Sequence, residues 1–162
     1  MTTAATAREG IRDTLASYCR GIDRRDRALV ASCFTPHATD DHGTGPRPIA
    51  EFLDWCFALL DQYESTFHFL GQSSYNFEGA DLCHVESYGV ATHRRAGGAE
   101  RQNLTTGFRY VDHLVRDASG WRIRERLAIT DWSRVEDESA WFAVSPELKR
   151  GQAGPDDPSY RR

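Results

Sequence analysis

The chain has 162 residues, 40% of them hydrophobic and 11% aromatic, which is enough for one domain with a real core and too few for two ordinary ones. A net charge of −4 and a pI near 5.8, with basic residues interleaved among acidic ones, exclude the basic footprint of a nucleic-acid binder. No apolar run approaches the length of a membrane span, and the opening residues lack the pattern of a signal peptide. Cys19, Cys33, Cys56 and Cys83 show no Cys-x-x-Cys spacing, so free thiols and a cytoplasmic location are expected.

In chain order, Ile11, Leu15, Tyr18, Cys19 and Ile22 make the apolar stripe of a first helix over about residues 6–22. Asp26 suits the N-cap of a short second helix carrying Leu29, Val30, Cys33 and Phe34, which Pro36 should end. Residues 37–47 read as irregular, with room for one short strand. Pro48 fits the first position of a third helix, whose apolar face includes Phe52, Leu53, Cys56, Leu60 and Tyr63. The period then changes to that of strands. Four long runs follow, at 64–78, 81–95, 103–117 and 120–134, with turn residues at Gly79, Gly97-Gly98 and Gly120. Helices first and a strand meander afterwards predict an α+β domain over 1–144, with a curved antiparallel sheet packed on three helices around one pocket. The segment 145–162, rich in Pro and Gly, is expected to be flexible or to dock on a partner subunit.

Three side chains stand out as proton-transfer chemistry. Asp23 follows the last apolar residue of the first helix, Tyr18 lies on its stripe, and His68 sits in Ser-Thr-Phe-His-Phe-Leu (65–70). Strand alternation places His68 opposite Phe67 and Phe69 and on one face with Leu70. A carboxylate beside an imidazole, with a phenol in reach, can move protons without a cofactor. On an ideal helix, however, Asp23 and Tyr18 point roughly 140° apart, so a shared pocket requires the helix to loosen near Gly21 or Tyr18 to reach around. Arg124 and Arg126 fall on one strand face with Ala128 and Thr130, and Ile123 on the other. Either Arg could stabilise a developing oxyanion or form a surface salt bridge. His37, Asp40, Asp41 and His42 match no established ligand spacing, so no metal site is expected there. Trp55, Trp121, Trp132 and Trp141 supply apolar area for a cavity.

The element order, together with Tyr-Cys-Arg-Gly-Ile-Asp (18–23), Cys-Phe-Thr-Pro (33–36), Thr-Phe-His-Phe (66–69), Arg-Tyr-Val-Asp (109–112) and Gly-Trp-Arg-Ile-Arg-Glu-Arg (120–126), resembles the SnoaL-like branch of the nuclear-transport-factor-2-like superfamily. The resemblance covers about residues 8–135. That branch includes dehydratases, a dehydrochlorinase and polyketide cyclases, and it implies an Asp–His catalytic pair falling on Asp23 and His68. It also implies Tyr18 and Arg126 as further catalytic residues, and it gives a looser match for a second pocket histidine in His93. Trp55 and Leu70 complete the expected substrate-binding set.

The expected function is therefore that of a cofactor-independent lyase (dehydratase) or isomerase, acting on a hydrophobic cyclic metabolite such as a polyketide, a steroid or an aromatic compound. The rival readings are a polyketide cyclase, and a non-catalytic β subunit of a ring-hydroxylating dioxygenase or binding module with a small pocket. No membrane or nucleic-acid partner is expected. An apolar outer sheet face, with Phe67 and Phe69 as its candidates, would be covered in a homodimer or homotrimer.

Overall fold

A computed structural model describes residues 3–95, 102–137 and 144–161. The Gly97-Gly98 turn and Trp141 lie outside the described residues.

Helix α1 (Ala4–Arg24) opens on Thr3, whose side chain accepts a hydrogen bond from the Thr6 N–H. It buries Ile11, Leu15, Tyr18, Cys19 and Ile22 on one face, the stripe that its spacing predicts. It closes on Arg25 in the left-handed region (φ 54°), with the Asp26 N–H returning to the Gly21 carbonyl at 2.8 Å. Gly21 permits the sharp return into α2 (Arg27–Ser32). A Cβ there would lie 2.6 Å from a methyl of Val30 and 3.1 Å from its main-chain nitrogen. Asp26 is the N-cap of α2, accepting from the Leu29 N–H.

The chain then departs from the sequence expectation. Phe34–Asp41 is not helix end and loop but a strand, β1, followed by the two-residue β2 (Arg47–Pro48). Pro36 lies where the β1 register slips between Phe34 and Thr39, one of the few places a strand tolerates a residue without an N–H. Helix α3 (Ile49–Leu60) takes Pro48 as its N-cap rather than as its first helical residue. Four long strands follow: β3 (Tyr63–Glu78), β4 (Leu82–Arg95), β5 (Gln102–Asp117) and β6 (Gly120–Asp137).

All six strands form one sheet in the order β2-β1-β6-β5-β4-β3. It is mixed rather than wholly antiparallel, because β1 joins β6 in parallel. β1 reaches that edge after α2, so its direction follows from the helices and not from a hairpin. Helices α1 and α3 pack on the concave face, and the core lies between, built from Ile11, Phe34, Phe52, Leu114 and Ile123 among others. Residues 144–161 return to α1. Asp157 bonds Arg24 at 3.3 Å, and Arg20 reaches Ser159 and the Tyr160 ring.

One irregularity decides the faces of β6. The register shifts between Leu114↔Ile123 and His113↔Glu125, so one extra residue is accommodated at Arg124. Ile123 and Arg126 thereby both turn inward and Arg124 outward. Simple alternation had put the two arginines together.

Candidate active site

Asp23 lies in the last turn of α1, beside β3. Its Oδ1 accepts from the His68 ring Nδ1 at 2.7 Å and from the Thr66 hydroxyl at 3.0 Å, and its Oδ2 accepts from the His68 main-chain N–H at 2.9 Å. Both side chains are nearly buried, at 9% and 8% exposure. An ionised carboxylate only accepts, so Nδ1 carries the proton and Nε2 is left with a free lone pair. Phe67 and Phe69 point the other way and are 59% exposed, as strand alternation requires.

Helix α1 does not loosen. Tyr18 and Asp23 diverge, and the His68 ring spans the gap. On one side His68 meets a groove of about 410 Å³ lined by Asp23, Arg12, Arg20, Leu70 and Ser73. On the other it lines a cavity of about 130 Å³ inside the curve of the sheet, with Tyr18, His42, Trp55, His93 and Phe108 on the walls. The cavity thus gathers Tyr18, His68, His93 and Trp55. Leu70 faces the outer groove instead.

His93 stands edge-on to His68 with ring centroids 5.4 Å apart, and its Nδ1 is buried without a partner. Burial, helped by the neighbouring His68, lowers its pKa to about 4, with Asp23 opposing. His93 is therefore a neutral imidazole that adds no like charge when His68 takes a proton. Tyr18 is fully buried, and its pKa is raised well above the usual phenol value, first by burial and then by Tyr110. It remains a phenol, able to donate.

Arg126 lies off the cavity. It forms a fully buried bidentate pair with Asp112, at 2.7 and 2.8 Å, and its guanidinium sits in the corner made by the mutually perpendicular rings of Tyr18 (4.1 Å) and Tyr110 (3.9 Å). Burial opposes its charge, but Asp112 and the two phenols outweigh that and hold its pKa up. Its reach to a substrate would be through the Tyr18 ring. Asp112 was not anticipated, although it faces Arg126 directly in the β5–β6 register. Thr66 and Tyr110 carry no local sequence signal, because the former acts through Asp23 and the latter through its hydrogen bond and ring contact with Tyr18.

Of the 37–42 group, His37 is exposed, and the Asp41 carboxylate caps the turn through the Gly43 and Gly45 N–H groups. Asp40 and His42 pair with each other. Among the described residues, no cluster of three His, Cys, Asp or Glu could hold a metal ion. No helix among them is long and apolar enough to cross a membrane. Cys19, Cys33, Cys56 and Cys83 are free and buried, and burial pushes the thiols of Cys19 and Cys56 up to about 12.

The SnoaL-like domain model matches residues 3–127, three quarters of the chain. The chain belongs to the SnoaL-like family. Similar solved structures support the same fold. A hexachlorocyclohexane dehydrochlorinase (LinA, type 2) superposes with a TM-score of 0.75 at 17% identity, covering 89% of this chain and 97% of its own. A candidate scytalone dehydratase from Novosphingobium aromaticivorans gives 0.71 at 15% identity, covering 78% and 85%. A candidate aromatic ring hydroxylase from the same organism gives 0.72 at 18% identity, covering 83% and 94%. At these identities the likeness speaks for the fold, the cone of the nuclear-transport-factor-2-like superfamily. No curated protein matches the SnoaL-like chain in sequence.

Proposed function

We propose that this SnoaL-like protein is a cofactor-independent lyase of dehydratase type, or an isomerase, with Asp23 and His68 as its proton-transfer dyad. The observation that carries this reading is the free Nε2 of a cavity-lining His68 whose Nδ1 is tied to Asp23. His68 removes a proton from carbon next to an electron sink. Asp23 holds the ring and stabilises the imidazolium that forms. Tyr18 donates to the oxygen that gains charge, and His93 binds a polar substrate atom as a neutral ring. Trp55 and Phe108 supply apolar walls. Arg126 acts at one remove, by polarising Tyr18 across its ring face.

A cavity of about 130 Å³ favours a substrate of one ring over a polyketide or a steroid. An engineered cavity of about 150 Å³ admits benzene. A general base, a fixed tautomer and a phenol need no metal or nucleotide, so turnover should survive exhaustive chelation. The deciding experiment screens single-ring β-hydroxy carbonyl compounds for dehydration and enolisation, with His68→Ala as the control. Equal turnover by both proteins would reject the dyad.

The same small cavity also favours a second reading, a non-catalytic β subunit of a ring-hydroxylating dioxygenase. In that reading the outer face bearing Phe67, Phe69, Tyr88 and Trp132 is covered by a larger chain. In the first reading that face is covered by copies of this chain, as a homodimer or homotrimer, in the cytoplasm. Stable co-purification with a Rieske-type subunit would favour the second.

A further inference from the structure

A second Asp–His pair meets the same cavity. His42 follows β1, at the opposite side of the sheet from β3, with β6, β5 and β4 between them. Its Nδ1 is bonded to the carboxylate of Asp40, whose side chain is wholly buried. Its ring is stacked on Phe52 with centroids 4.9 Å apart and lies 5.9 Å from the Tyr110 ring. Those contacts fix the plane of the imidazole in the cavity wall, where His68 and Tyr18 also stand. Nδ1 being engaged, Nε2 is the nitrogen left for a ligand.

The buried charges make this pair more than a packing detail. Two fully buried carboxylates, Asp40 and Asp112, share the interior with one guanidinium; Arg126 gives its Nε and Nη2 to Asp112, and its Nη1 is buried without a hydrogen bond. The remaining carboxylate has His42 as its partner, and its Oδ2 is buried with no hydrogen bond. A buried carboxylate needs a donor or a positive group beside it, and the His42 ring supplies a donor at Nδ1.

We propose that His42, held by Asp40, is the general acid of this site, working against His68 as the base. The proposal rests on the dyad reading above and adds the missing half of the reaction. His68 Nε2 takes the proton from carbon, and the C–H electron pair forms the new double bond. The bond from the neighbouring atom to oxygen breaks, and its electron pair leaves with the oxygen. His42 gives the Nε2 proton to that oxygen and becomes neutral. Solvent then takes the proton from His68 and returns one to His42. The substrate class is an oxygen-bearing ring whose leaving oxygen points toward β1 while its acidic C–H points toward β3.

Benzisoxazoles test both halves at once, because base-promoted loss of their ring C–H breaks the N–O bond and releases a phenolate. The 5-nitro compound has a good leaving group that needs no acid, and the unsubstituted compound has a poor one that does. The wild type should accelerate both, and His68→Ala should accelerate neither. His42→Gln should leave the 5-nitro rate within a few-fold and slow the unsubstituted compound by roughly a hundredfold or more, the lower end of what general acids contribute. Asp40→Asn should move the ratio of the two rates in the same direction. A loss of equal size on both compounds in His42→Gln would reduce His42 to packing and overturn the proposal, with the dyad intact. Absence of acceleration by the wild type, or undiminished acceleration by His68→Ala, would overturn the base assignment itself and this proposal with it.

Discussion

Asp23 holds His68 at two points, the ring through Nδ1 at 2.7 Å and the backbone through the His68 N–H at 2.9 Å. A helix end and a strand are thus clipped together by one carboxylate. The backbone contact sets the position of the strand residue, and the ring contact sets its tautomer. Removing the charge alone and removing the ring alone should therefore have different consequences.

If the dyad acts as proposed, His68→Ala nearly abolishes turnover while circular dichroism stays that of the wild type. Asp23→Asn keeps a side chain of the same shape but loses the charge that favours the imidazolium. It should lower kcat by roughly 10²–10⁴ with a smaller effect on KM. Steady-state kinetics on the benzisoxazoles measures both, and a KM effect exceeding the kcat effect would speak against a role in proton transfer.

His93 offers a pH signature. Its pKa is lowered from 6.5 to about 4 in the folded protein, so between those values the unfolded chain binds the extra proton. The sign follows from linkage: this contribution to stability is fully present above about pH 6.5 and is lost as pH falls to about 4. The full loss is on the order of 3 kcal/mol. Urea unfolding at pH 7 and pH 4.5 should show a smaller difference for His93→Gln than for the wild type. A wild-type His93 NMR resonance with an ordinary midpoint would contradict it.

The Arg126–Asp112 pair should respond as a buried ion pair. Arg126→Leu strands the Asp112 carboxylate, and Asp112→Ala strands the guanidinium between two tyrosine rings. Each should cost about 3–5 kcal/mol. Replacing both, with Arg126→Met and Asp112→Leu, should recover most of that loss. Denaturant midpoints of the three variants make the comparison, and a double variant no better than the singles would show that the pair has further partners.

Covering of the outer sheet face can be tested by charge. Phe67→Glu with Phe69→Glu alters side chains that point away from His68 and are 59% exposed. In the homo-oligomer reading, light scattering should report a smaller species than for the wild type, with an unchanged far-ultraviolet spectrum. Equal masses would place the interface elsewhere.

Much of this protein can be read along the chain. The stripe on α1, the N-cap at Asp26 and the long strands after residue 63 are local patterns of period 3.6 or 2, and each appears within three residues of its expected place. The faces on which Asp23, His68 and Tyr18 lie were legible for the same reason: a helix end and an alternating strand have fixed faces. What the chain alone left open depended on register and on bulges. One extra residue at Arg124 reverses the faces of β6 and sends Arg126, not Arg124, inward. The parallel union of β1 with β6 turns Asp40 into the interior and brings His42 to the cavity opposite His68. Local sequence specifies which way a side chain points from its own strand. Only the assembled sheet decides which strands lie opposite one another, and therefore which side chains share a cavity.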